Sequence, residues 1–136
     1  MWYTVKEVSE LSNVTIKTLH HYHKIGLLLP SKVSEAGYRL YGQKELERLQ
    51  EILFFRELDI PLEQIKEMMD RQSDRLSVLM QQEELILARR QRLDTIVRTL
   101  RKSIAYMQER KKMDDKEMFE GFRNEEEWNK ALAGQN

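Results

Sequence analysis

From Leu76 to Met107 apolar residues return with the spacing of a coiled-coil seam. With Leu76 as position a of a heptad, the a positions are Leu76, Glu83, Arg90, Val97 and Ile104. The d positions are Leu79, Ile86, Leu93, Leu100 and Met107, so eight of ten seam positions are apolar. A helix over about 74–112 would be a rod of ~60 Å at the α-helical rise. Such a rod can pack on the N-terminal part of its own chain or pair with a second copy. The seam outruns what a domain of this size can cover, which favours a homodimer through Leu79, Ile86, Leu93, Val97, Leu100, Ile104 and Met107. Glu83 and Arg90 can pair across an antiparallel seam, but the sequence leaves the orientation open.

Charge is unevenly spread. Lys, Arg, Asp and Glu make up 34% of the 136 residues, a share that suits long solvated helices, and the net charge is zero. That zero conceals blocks. Residues 1–44 carry six Lys/Arg and three Asp/Glu (+3), 45–88 five and eleven (−6), 89–112 nine and two (+7), and 113–136 three and seven (−4). Cysteine is absent, which removes disulfides, thiolate metal sites and cysteine nucleophiles together. No apolar run reaches the ~20 residues of a membrane span, and "MWYTVKEV" lacks the apolar core of a secretory signal. A cytoplasmic protein with no membrane partner is the expectation.

Ahead of the rod the pattern is finer. Thr4 to Glu7 is a capping box opening a short helix through Val5, Val8 and Leu11, which Ser12-Asn13 ends. A second helix starts near Thr15 and runs through Leu19, Tyr22 and Ile25 to a C-terminal cap at Gly26; two short helices about a tight turn predict a helix-turn-helix. Two apolar or aromatic stretches then flank Ser34-Glu35-Ala36-Gly37, with Gly37 supplying the positive φ of a hairpin loop. Tyr38 and Leu40 would share one face of this small β-wing, Arg39 and Tyr41 the other. Helices follow over about 43–58 and, after Asp59-Ile60-Pro61, from Leu62 to about Met69; "DRQSD" loosens the chain. The acidic tail has only Met118, Phe119, Phe122 and Trp128 as large anchors, too few for an independent core, and reads as one short helix or the stub of a further domain.

The fold class expected is therefore mainly α: a winged helix-turn-helix over 1–72, a long coiled-coil dimerisation helix over 73–112 and an acidic tail over 113–136. This order, with "YTVKEVSELSNVTIKTLHHY", "IGLLLPS", "GYRLY" and "LERLQEILFFRELDIPLEQIKEMM", resembles the DNA-binding and dimerisation region of the MerR family of bacterial transcription regulators. "TLHHY" and "KEMFEGF" are similar to its multidrug- and thiopeptide-sensing branch, in which a ligand-binding domain follows; no complete sensing domain is expected within these residues. The resemblance implies that the second helix enters the major groove, with Thr15, Lys17, Thr18, His20 and His21 facing it and Tyr22 at the edge. Plain core is the competing reading of Tyr22. Lys17 stands where the family usually has arginine, so it keeps the charge but loses the bidentate fork. Tyr38 and Arg39 match backbone-contacting wing residues, and Lys66 lies in the region of a second wing. The implied partners are promoter DNA carrying an inverted repeat, a second copy and, through the promoter, RNA polymerase; the implied action is a bend and untwist that realigns the promoter elements. The effector is unknown, and no cofactor is implied.

Other functions fit less well. An enzyme is disfavoured, because there is no Gly-rich phosphate loop, no cysteine, and all three histidines share one short helix. An excisionase-like architectural protein would lack the long helix, while a coiled-coil interaction module would show neither steep salt dependence nor preference for an inverted repeat. A drug pocket needs more walls than this chain supplies. The histidines of "HHYH" offer at most two ligands from one helix face, His20 and His23, with nothing near in sequence to complete a tetrahedral metal site. His20 and His21 are expected at the DNA backbone, so affinity should rise as pH falls from about 7.5 to 6. His23 replaces the family's usual aspartate in the last turn, where a cation suits the helix dipole.

Overall fold

The structure, a computed structural model, describes residues 1–71 and 74–133. The chain divides into two compact units, Met1–Ser73 and Asp74–Asn136.

The first unit opens with a strand, β1 (Tyr3–Thr4), and runs directly into α1 (Val5–Ser12). The capping box forms as read: the Thr4 hydroxyl accepts from the Glu7 amide at 3.2 Å, and the Glu7 carboxylate accepts from the Thr4 amide at 2.9 Å. Asn13, at φ 60°, ends α1 in the left-handed region. α2 (Ile16–Lys24) follows, and Gly26 at φ +74° turns the chain away beyond it. β2 (Lys32–Val33) and β3 (Arg39–Tyr41) make the wing, with Gly37 at φ +87° in its loop. The sheet order is β1-β3-β2, antiparallel throughout, with Thr4 opposite Leu40 and Lys32 opposite Leu40 on the other edge. α3 (Gln43–Glu57) and α4 (Leu62–Arg71) complete the unit around a core that includes Val8, Leu19, Leu27, Leu49, Ile52, Phe55 and Ile65. Part of the "DRQSD" stretch, residues 72 and 73, lies outside the described residues, and with it the expected boundary there.

The second unit is built on α5 (Arg75–Gln108), 34 residues capped by Asp74, whose carboxylate accepts from the Leu76 amide at 3.2 Å. The helix ends short of the expected residue 112, because Arg110 takes φ 58° and reverses the chain. The tail then returns along α5 through a 3-10 turn (Glu117–Phe119) to α6 (Glu125–Ala133). Ser103 donates to the Met113 sulfur at 3.1 Å, and the Thr99 hydroxyl donates to the Glu120 carbonyl at 2.8 Å. Gly121, at φ +90°, sits so close to α5 that a Cβ there would lie 2.9 Å from the Ile96 nitrogen. The tail thus folds back on α5 as the second arm of a hairpin and includes one short helix.

The two sides of α5 differ. Arg92, Ile96, Thr99 and Ser103, spaced four, three and four, are half-buried or buried on the side the tail takes. One position further round, Leu93, Val97, Leu100, Ile104 and Met107 remain exposed, from 40% at Val97 to 82% at Met107. Leu79 and Ile86, earlier in the same seam, are half-buried. No helix among the described residues is long and apolar enough to cross a membrane.

Candidate nucleic-acid interface

α2 has one side that the protein covers and one that it does not. Leu19 and Tyr22 are buried, whereas Lys17, His20 and His21 are exposed and Thr18 is half-buried. Thr15 caps the helix: its hydroxyl accepts from the Thr18 amide at 3.1 Å and donates to the Thr18 hydroxyl at 2.9 Å. Thr15 is exposed, but its side chain therefore already holds the helix start. Nothing intervenes between solvent and the exposed edge, which presents one ammonium and two imidazoles.

Tyr22 stands apart from that edge. It is 1% exposed, and its hydroxyl accepts from Arg56 Nη1 at 2.9 Å. This placement is that of a core tyrosine with its polar end satisfied at the surface. Arg56, in the last turn of α3, was not singled out by sequence reasoning; a buried phenol implies a partner, but periodicity does not say which. Beside this bond, Thr18, His21, Tyr22, Arg56 and Asp59 share an open notch of about 500 Å³ with Ile60, Pro61 and Leu62.

Lys66 is half-buried, and its ammonium end lies at the close of α2. A Cβ built on Gly26 would be 3.5 Å from Lys66 Cε and 3.6 Å from Nζ. A cation there complements the carbonyl end of the helix. Arg48, also missed in the sequence, donates from Nε to the Leu27 carbonyl at 2.6 Å and pairs with Asp70 at 3.3 Å, tying α3 to the segment after α2 and to α4.

In the wing, Tyr38 is 64% exposed and Arg39 is exposed. The loop behind them is held by Ser34, whose amide donates to the Tyr38 carbonyl at 2.7 Å and whose hydroxyl accepts from the Tyr38 amide at 3.0 Å. Tyr41 is buried; burial pushes its phenol up while the nearby Arg39 charge pulls it down. Among the described residues, no group of three or more His, Cys, Asp or Glu side chains is arranged to hold a metal.

A capped two-helix turn whose second helix keeps one polar edge free, flanked by a hairpin with a projecting arginine, defines a winged helix-turn-helix of the DNA-binding class. The chain belongs to the MerR family: residues 3–72 match the family described as "MerR HTH family regulatory protein". It is 43% identical over 122 residues to the HTH-type transcriptional activator mta of Bacillus subtilis (strain 168), covering 89% of this chain and 48% of that protein. It is similar throughout to the crystal structure of the HTH-type transcriptional regulator SkgA from Caulobacter crescentus, with TM-score 0.80, 37% identity, and coverage of 100% of this chain and 99% of that one. A third likeness is to HiNmlR, a MerR family regulator lacking the sensor domain, bound to promoter DNA, with TM-score 0.63 and 25% identity over 80% of this chain and 92% of that one. The chain spans about half the length of the curated relatives it matches.

Proposed function

We propose that these residues are the DNA-binding and dimerisation part of a MerR-type transcription regulator that docks α2 in the major groove of an inverted repeat. The observation that carries this reading is the split of α2, with Leu19 and Tyr22 buried and Lys17, His20 and His21 free. Lys17 and the two histidines meet base edges and phosphates, with Thr15 and Thr18 at the helix start; Tyr38 and Arg39 grip backbone from the wing. Lys66 and Tyr22 act from behind, Lys66 at the end of α2 and Tyr22 through Arg56. Two copies join through Leu93, Val97, Leu100, Ile104 and Met107, with Leu79 and Ile86 extending the same seam. The spacing of the two recognition helices then sets the spacing of the half-sites. The dimer activates by bending and untwisting the promoter for RNA polymerase, and DNA deformation of that kind costs several kcal/mol, which the wings help recover. HiNmlR, bound to promoter DNA without a sensor domain, supports binding by residues like these alone.

The test is a salt titration of binding to a duplex enriched by the protein from a random pool, beside an unselected duplex. Steep salt slopes on both, with a strong preference for the selected duplex and an inverted repeat in its sequence, are the expected result. Absence of DNA binding at low salt would end this reading. Binding without distortion of the duplex would remove the activation mechanism alone.

A further inference from the structure

The wing is held by something outside it. Trp2 lies ahead of β1, and its indole crosses the end of β3: a Cβ built on Gly42 would stand 2.7 Å from Trp2 Cζ3 and 3.2 Å from Cε3 and Cη2. Gly42 has φ −106°, which any residue adopts, so a side chain here would meet the indole and displace it, not strain the backbone. On the far strand, the Lys32 ammonium sits 4.2 Å from the centroid of the same ring. The register explains the reach. Thr4 and Lys32 flank Leu40 from opposite edges, so positions 2, 32, 40 and 42 fall on one face of the three-stranded sheet. One side chain therefore spans all three strands.

Each strand it touches leads to a different part of the unit. β1 runs straight into α1; Gly42 caps α3, its amide donating to Glu45 at 2.7 Å; Lys32 opens the strand that carries the wing loop. β2 and β3 are only two and three residues long, so their own pairing gives the wing little hold on the rest of the unit. We propose that Trp2 is a positioning residue for DNA binding: clasped between Lys32 and Gly42, it fixes the pitch of the wing so that Tyr38 and Arg39 meet the phosphate backbone while α2 is in the groove. This rests on the DNA-binding reading above.

The experiment measures the salt slope of binding to the selected duplex for the wild type and six variants, with thermal unfolding as the check on folding. Trp2→Ala removes the ring, and Gly42→Ala displaces it. Both are expected to fold, to bind roughly tenfold more weakly, and to lose about one unit of slope for each wing phosphate contact released. Trp2→Phe, which keeps a ring over Gly42, should retain most of the slope. In an Arg39→Gln background, Trp2→Ala should change the slope no further, because the contact it positions is already gone. Wild-type slopes in Trp2→Ala and Gly42→Ala would overturn the proposal, as would a loss in Trp2→Phe as large as that in Trp2→Ala. Additive losses with Arg39→Gln would overturn it too. A slope lost in Lys32→Gln but kept in Trp2→Ala would show Lys32 meeting phosphate by itself and refute the clasp. A wild type that binds no DNA would instead fail the DNA-binding reading, a distinct outcome.

Discussion

Arg56 donates to the Tyr22 hydroxyl across 2.9 Å and so joins the end of α3 to the buried side of α2. If this bond supports the helix and does not touch DNA, Tyr22→Phe should cost about 1.5–3 kcal/mol of stability, the worth of a hydrogen bond from a charged donor. The salt slope of DNA binding should stay at the wild-type value. Chemical denaturation beside a salt titration separates the two effects. A loss of affinity at constant slope with unchanged stability would return Tyr22 to the set of direct phosphate contacts.

Leu100 is 58% exposed and Ile104 49% exposed in the single chain, so a charge at either should leave the protomer folded. Leu100→Glu is expected to give a monomer in sedimentation equilibrium where the wild type is a dimer. Affinity for an inverted repeat should fall on the order of 10²-fold, since one half-site no longer delivers the other. A dimer that survives this substitution would place the seam elsewhere on the chain.

Gly121 carries the return of the tail. A Cβ there would meet the Ile96 nitrogen and Thr95 Cγ2 at 2.9 Å, at a φ of +90°. Gly121→Ala should cost the hairpin about 1–3 kcal/mol through that backbone conformation and the close approach. Hydrogen exchange should speed over residues 113–133 and remain unchanged over 1–71. Thr99→Val, which loses the hydroxyl's bonds to the Glu120 and Thr95 carbonyls, should do the same to a smaller degree.

How far the fold was legible depended on the range of the interaction. Thr4, Glu7, Asn13, Gly26 and Gly37 act within a few residues of themselves, and their roles in caps and turns are those their types predict. The apolar stripe of α5 is likewise local, and the start of its helix was legible to about one residue, while its end falls four residues short of expectation at Gln108. β1 went unread because a two-residue strand has no periodicity; only pairing with Tyr41 and Leu40 makes it a strand. The return of the tail was hidden for a related reason. Part of its hold on α5 comes from a glycine approach, a carbonyl and a sulfur, none of which registers as hydrophobic pattern. At the candidate interface, Lys17, His20, His21 and Arg39 were readable as exposed polar side chains at motif positions. Arg56, Arg48 and Trp2 act across more than 20 residues of chain or across a sheet, beyond what spacing can show.

Asp74 caps α5, and hydrogen bonds from Ser77 and Leu76 hold its carboxyl below the ordinary 3.8. A carboxyl whose folded value is depressed adds stability in full above its unfolded value and loses it as pH falls through the folded one. The difference in thermal midpoint between wild type and Asp74→Ser, a cap that does not titrate, should therefore be constant at neutral pH and change only below about pH 4. A difference that already varies between neutrality and mild acid would assign the effect to another group.

The returning tail also alters what the rest of the cell can see of α5. Residues 89–112 carry nine basic and two acidic side chains, and residues 113–133, which fold back beside them, three and seven. Covalent attachment keeps this counter-charge at high local concentration whatever the ionic strength of the surroundings. Long-range attraction for a polyanion is thereby damped along α5. The hairpin thus supplies the basic stretch of the helix with its own counter-charge from within the same unit.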